Sequence, residues 1–328
     1  MNPFKSFSEE IFNVTEENFE ALALKVFRYQ AEHNEVYRNY VQTLGVRADE
    51  VSSLEKVPFL PISMFKTQKV VTGAWKENVV FQSSGTTGQI NSKHYVYDVD
   101  LYLRNTEKIF EWFYGPLSDF HFLALLPSYL EREGSSLVLM AEYFIKESGS
   151  DKSGFFLNDF EALLLQLKNI QDGRKIVLLG VSFALLDLAE QVNPDLSGVT
   201  VMETGGMKGR KKEMVREELH SIYKQKFNIS KIHSEYGMTE LMSQAYSKGD
   251  GMFNTPPWMK VMLRDFNDPF DYNTVKNTGG INIVDMANIY SCAFIETQDI
   301  GRRVEGEGFE VIGRFDNSDI RGCNLMVL

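Results

Sequence analysis

The sequence predicts an α/β fold, a doubly wound and mainly parallel sheet followed by a β-rich subdomain. Between residues 121 and 233, short apolar runs alternate with stretches of helical period, the pattern of a parallel sheet covered on both faces. Past Gly249 the texture changes to short apolar runs separated by Asp, Asn and Gly turns, which reads as antiparallel strands. A chain of 328 residues with 43% apolar content can bury a core of that size. The change of texture divides the chain into residues 1–248, a helical cap with the α/β core, and residues 249–328, the β-rich subdomain with a carboxyl-terminal tail.

Taken in order, Phe19, Leu22, Val26 and Tyr29 recur at helical spacing, so a helical cap is expected from Thr15 to about Leu44, with Thr15 or Asn18 placed to cap it. Residues 57–66 are too proline-broken for a long helix and read as an extended lead-in crossing the surface. Predicted strands at residues 79–81 and 93–97 flank a Ser/Thr/Gly loop. That loop therefore joins two strands, unlike a kinase-type phosphate loop, which a helix follows directly. Asp98 caps a predicted helix to about Tyr114.

The α/β alternation then runs through predicted strands at 121–126, 175–179, 199–203 and 231–233. Helices are expected at 136–146, 159–169, 182–192 and 211–227. In such sheets ligands bind beyond the carboxyl ends of the strands. Both Gly205-Gly206 and Tyr236-Gly237-Met238-Thr239-Glu240 fall just after predicted strands. The later strands are expected at 259–263, 280–284, 290–295 and 308–312.

Composition narrows the function classes. A formal net charge of −11 is opposite to the footprint of a general nucleic-acid binder. There is no apolar run of membrane-spanning length, and the first residues lack a charged-then-apolar leader pattern, so a cytoplasmic location is expected. Two cysteines, Cys292 and Cys323, exclude a disulfide framework and suit a reducing compartment. Cys292 sits in a predicted buried strand and reads as core. The five histidines have no metal-like spacing and read as surface or packing residues, although His94 follows the Ser/Thr/Gly loop closely enough to touch a ligand.

The Ser83-Ser84-Gly85-Thr86-Thr87-Gly88 stretch carries the first chemical signal. Gly85 and Gly88 let the backbone bring N–H groups close to an anion, while Ser84, Thr86 and Thr87 add hydroxyl donors, as a phosphate cradle requires. Taken alone, the hexapeptide fits an ordinary flexible loop equally well. Its order with Tyr236-Gly237-Met238-Thr239-Glu240, Asp299-Ile300-Gly301-Arg302 and Gly313-Arg314-Phe315-Asp316 resembles the adenylate-forming superfamily of acyl and aryl ligases, peptide-synthetase adenylation domains and insect luciferases.

That resemblance implies ATP and Mg²⁺ as cofactors. Ser84, Gly85, Thr86, Thr87 and Gly88 would embrace the β- and γ-phosphates, Thr239 would touch the α-phosphate, and Glu240 would hold Mg²⁺. Tyr236 and Gly237 with Gly205 and Gly206 would flank adenine, Asp299 would accept the ribose hydroxyls, and Arg314 would reach the ribose or a phosphate. The chain departs from the superfamily after the loop, where Ile90-Asn91-Ser92 precede Lys93, and at its end, where the roughly hundred-residue lid domain expected of such ligases has no counterpart.

The chain also resembles the acyl-protein synthetase (LuxE-like) family. Residues 58–66, 127–137 and 203–210 and the terminal Arg321-Gly322-Cys323 carry this likeness over nearly the whole length. It implies ATP-dependent activation of a carboxylic, fatty acid and transfer of the acyl group to Cys323, for delivery to an acyl reductase or another acceptor. Cys323 also fits as a small apolar filler beside Leu325, Met326 and Val327. Two alternatives stay open. One is an acyl ligase using coenzyme A or a carrier protein with a lid borrowed from a partner; the other is a non-catalytic adenylate-binding subunit.

Overall fold

In the computed structural model, which describes residues 10–83, 90–126, 134–205, 214–272, 277–304 and 308–315, the chain opens with two helices where one is expected. Helix α1 (Glu16–His33) starts in a capping box in which the Thr15 N–H donates to Asn18 Oδ1 at 2.8 Å. It stops at Asn34, whose extended backbone and side-chain oxygen, accepting from the Tyr37 N–H, cap α2 (Glu35–Thr43). The other end of the Asn34 side chain donates to the Ser291 carbonyl at 2.9 Å, so a buried amide turns the chain and ties the cap to the core.

The proline-broken lead-in is no surface crossing. Strand β1 (Leu60–Pro61) pairs in parallel with residues 295–296, and the Ile62 N–H donates to the Glu296 carbonyl at 2.9 Å. Free of proline after residue 61, the chain then turns into helix α3 (Met64–Thr67), which buries Phe65. Strands β2 (Val79–Gln82) and β3 (Lys93–Val96) form the expected antiparallel pair, with Gln82 opposite Lys93. Their junction is closed by Ser83 N–H to the Ser92 carbonyl (3.1 Å) and Ser92 N–H to Ser83 Oγ (2.9 Å).

Helix α4 (Val99–Tyr114) is capped by Asp98, as expected. The α/β alternation follows: β4 (Phe120–Leu125), α5 (Ser136–Glu147), β5 (Gly154–Phe155), α6 (Phe160–Asn169), β6 (Lys175–Val181), α7 (Ser182–Gln191), β7 (Val199–Thr204), α8 (Arg216–Phe227) and β8 (His233–Tyr236). Strands β5, β4, β6, β7 and β8 lie side by side and parallel. Every residue of β4 is buried, as a strand covered on both faces demands.

Strands β9 (Ala245–Ser247) and β10 (Met252–Asn254) are too short to show in the sequence pattern. With β11 (Met259–Arg264), β12 (Thr278–Asp285), β13 (Phe294–Arg303) and β14 (Phe309–Arg314) they extend the same sheet by antiparallel pairing, in the order β11-β12-β13-β14-β10-β9-β8. The strand expected from residue 290 begins only at Phe294. The Asn288, Ile289 and Ser291 carbonyls are taken by the Gln30 and Asn34 side chains of the cap, Ser291 also by the Thr72 hydroxyl, and the Tyr290 carbonyl by the Thr72 N–H, which withdraws them from the sheet ladder. Cys292 in that turn is fully buried, and burial pushes its thiol up to about 12, so it is core.

Candidate active site

Thr204 and Glu235 are register partners on β7 and β8, so Gly205 and Tyr236 follow them side by side at the carboxyl edge of the sheet. The Thr204 hydroxyl donates to the Glu235 carboxylate and locks the two strand ends. Gly205 adopts φ +68°, a left-handed conformation that favours glycine. Its carbonyl accepts from Ser182 Oγ at 3.0 Å. That hydroxyl also lies 2.6 Å from Glu203 Oε1, and the other Glu203 oxygen meets His220 Nε2 at 2.7 Å.

The strand expected at 231–233 runs instead from His233 to Tyr236, so Tyr236 is its last residue rather than lying beyond its end. Its ring centroid lies 5.7 Å from those of Phe253 and Phe309, and its hydroxyl donates to Asp299 Oδ2 at 2.8 Å. Asp299 sits within β13 opposite Arg314, the last residue of β14, whose Nε lies 3.8 Å from Oδ1. Burial pushes the Asp299 carboxyl above its usual range, against the pull of the Tyr236 hydroxyl and the Arg314 charge. Burial and the neighbouring carboxylate push the Tyr236 phenol well up, so it stays a donor. Three residues far apart in sequence thus meet in one hydrogen-bonded and charged cluster.

Past Tyr236 the chain turns at Gly237, where a Cβ would stand 2.4 Å from Glu235 Oε1, so any larger residue forces that carboxylate aside. Thr239 is half-buried and Glu240 is 6% exposed. Burial pushes the Glu240 carboxyl up, opposed by a hydrogen bond from the Ser92 side chain and by the charges of Arg314 and Lys66. The fields that reach Glu240 therefore come from α3, from the end of β14 and from the base of the Ser/Thr/Gly loop. The Thr239 carbonyl is held at 2.8 Å by Nδ1 of His94 on β3.

Of the expected site residues, Gly205, Tyr236, Gly237, Thr239, Glu240, Asp299 and Arg314 are described and lie along this edge of the sheet. Ser84, Gly85, Thr86, Thr87, Gly88, Gly206 and Cys323 lie outside the described residues. Lys93 is exposed on β3. A cavity of about 510 Å³ between Leu54 and Met262 is lined by none of the expected residues. Ser92, His94 and Lys66 are the additions that the structure makes. Ser92 closes the junction just before β3 and His94 lies on β3, two residues on.

Over 352 aligned residues the sequence is 23% identical to the long-chain-fatty-acid–luciferin-component ligase of Aliivibrio fischeri, covering 96% of this chain and 89% of that protein. A 70-residue stretch is 36% identical to the Photorhabdus luminescens protein of the same description, over 20% of this chain and 58% of that one. The chain resembles the acyl-protein synthetases, as its motifs predict. No protein-family model matches the sequence.

Among solved structures, an open conformation of 2-hydroxyisobutyryl-CoA ligase superposes with a TM-score of 0.64 at 13% identity, over 94% of this chain and 78% of that one. ATP-bound MatB from Rhodopseudomonas palustris superposes with a TM-score of 0.54 at 15% identity, over 74% of this chain. This chain spans about half the length of MatB, 49%. These likenesses show that the fold is that of adenylate-forming ligases. Among the described residues no helix is long and apolar enough to cross a membrane.

Proposed function

We propose that the protein is an ATP-dependent, AMP-forming acid–thiol ligase that activates a carboxylic acid, of the fatty-acid class, as an acyl-adenylate. The observation that carries this reading is the convergence of Tyr236, Asp299 and Arg314 beside the buried Glu240, because a nucleotide needs an aromatic wall, a ribose acceptor and a counter-charge within one molecule's reach. The near full-length similarity to a fatty-acid ligase supports the substrate class.

In this reading Gly205 and Tyr236 flank adenine and Asp299 Oδ1, the oxygen not used by Tyr236, receives the ribose. Arg314 faces the ribose or a phosphate, and Thr239 faces the α-phosphate. No cluster of three or more His, Cys, Asp or Glu among the described residues could hold a metal by itself. A single buried carboxylate nonetheless fits Mg²⁺, which binds one or two carboxylates and completes its shell with phosphate oxygens and water. Glu240 would hold that ion, which supplies charge neutralisation for the departing pyrophosphate.

The acid's carboxylate attacks the α-phosphorus and pyrophosphate leaves. A thiolate, Cys323, then attacks the acyl carbon of the mixed anhydride, the carbon–oxygen bond to phosphate breaks, and AMP departs with that electron pair. The resulting thioester is the form that an acyl reductase or another acceptor would draw on. ATP–pyrophosphate exchange over a panel of carboxylic acids, followed by assay for a hydroxylamine-labile acyl label, tests both halves. Exchange with label lost in Cys323→Ala is expected. Thioester output that survives Cys323→Ala assigns the acceptor to coenzyme A or a carrier protein, and no exchange with any acid leaves a non-catalytic adenylate-binding subunit.

A further inference from the structure

Residues 239–243 belong to no strand or helix, yet their backbone groups are held from several sides. The Thr239 carbonyl takes His94 Nδ1 (2.8 Å), the Glu240 carbonyl takes Asn288 Nδ2 (2.7 Å), and the Met242 carbonyl takes Asn105 Nδ2 (2.8 Å). The Met242 and Ser243 N–H groups both donate to Asp285 Oδ2, at 2.8 and 2.9 Å. Asp285 and Asn105 fix the end that leads into β9. The end that bears the expected nucleotide-facing side chains hangs on His94 and Asn288.

These two form one unit. His94 Nε2 lies 3.0 Å from Asn288 Oδ1, both residues are 1% exposed, and the imidazole is backed edge-on by Phe65 of α3 at 5.9 Å and by Phe81 of β2 at 6.4 Å. A carbonyl only accepts, so Nδ1 carries the hydrogen and Nε2 of the neutral ring is bare; Asn288 Oδ1 also only accepts, so the 3.0 Å approach is a packing contact and each residue holds the turn through its own donor. Two residues earlier, in the junction just before β3, the Ser92 side chain bonds the Glu240 carboxyl. The β2–β3 pair therefore grips the turn twice, once by its backbone and once by its carboxylate.

We propose that His94 and Asn288 are positioning residues for Thr239 and Glu240, a buried strut that sets how far the turn stands from the β2–β3 pair and so where its two functional side chains point. The proposal rests on the reading of Thr239 and Glu240 as nucleotide-facing. Displacements of about 1 Å at reacting groups cost on the order of a hundredfold in rate. Each carbonyl loses a buried donor when its partner is replaced.

The test compares His94→Asn, whose Nδ2 stands where Nδ1 stood and keeps the donor, with His94→Phe, which keeps the ring and loses the donor; Asn288→Ala probes the other half. Pyrophosphate exchange is measured against Mg²⁺ and ATP concentration, together with thermal midpoints and hydrogen–deuterium exchange of the residue 239–243 amides. The expected result is a turnover loss of roughly a hundredfold and a raised half-saturating Mg²⁺ in His94→Phe, recovery to within about fivefold in His94→Asn, and amide exchange about tenfold faster in His94→Phe and Asn288→Ala. Equal turnover in wild type and His94→Phe overturns the proposal. Should the wild type exchange no pyrophosphate, the ligase reading falls by itself. Amide protection then decides the strut, with equal protection in all variants overturning it.

Discussion

Asp285 is fully buried and receives four hydrogen bonds: Oδ2 from the Met242 and Ser243 N–H groups, and Oδ1 from Ser243 Oγ at 2.7 Å and the Ala287 N–H at 3.2 Å. Burial pushes its carboxyl up while the donors pull it down. Three backbone N–H groups that can only donate face its two oxygens, surroundings that suit an ionised carboxylate. Asp285→Asn replaces one acceptor oxygen with an NH₂. Placed at Oδ2, that group faces two backbone donors that cannot turn away. Placed at Oδ1, it meets a serine hydroxyl that can reverse and only one fixed N–H, so this orientation is adopted.

The remaining bonds then fall from charge-assisted to neutral strength, a loss of about 1 kcal/mol each, and one N–H goes unpaired for about 1–2 kcal/mol. Relief from burying a charge returns part of this, leaving a net destabilisation of about 2–4 kcal/mol. Urea unfolding followed by circular dichroism should show the midpoint lowered with an unchanged slope, and Asp285→Ala should be worse. If the folded protein instead held Asp285 protonated, asparagine would be nearly isosteric with the acid. A change below about 1 kcal/mol would refute the reasoning.

Burial holds the folded Glu240 carboxyl above its unfolded value, so stability is lost as the pH rises past that unfolded value. Glu240→Gln should therefore raise the thermal midpoint by a few degrees, roughly 1 kcal/mol, while pyrophosphate exchange falls about a hundredfold or more; a lowered midpoint contradicts the burial argument. For His94, burial pushes the ring from 6.5 down to about 4, so the unfolded chain takes up its proton first as the pH falls. Stability is then lost between those two values, by about 3 kcal/mol at most, and unfolding at pH 7.5 and 4.5 should show a shallower loss in His94→Asn than in wild type. Tyr236→Phe strips a buried carboxylate oxygen of its donor, and calorimetry should record nucleotide binding weakened about tenfold or more, with unchanged affinity separating Asp299 from the nucleotide.

What the amino-acid sequence determined by itself is whatever short-range physics encodes. The caps at Thr15 and Asp98 are local bonds between a side chain and the backbone of the adjoining turn, and the α/β alternation is carried by hydrophobic period within each segment. The placement of Gly205 and Tyr236 near strand ends followed from the same patterns, although β8 ends at Tyr236, three residues later than expected.

The tertiary structure decided everything that depends on what lies opposite. Asn34 breaks the cap helix because Ser291 is there to take its amide, residues 288–291 leave the strand because the cap and Thr72 claim their carbonyls, and β1 joins the sheet because residues 295–296 of β13 lie outside the stretch that β14 pairs. The Tyr236–Asp299 bond spans 63 residues and the His94–Thr239 bond 145, separations over which no local preference acts. A side chain's residue type states what it can bond. Only the fold brings the partner that makes the bond worth more than water.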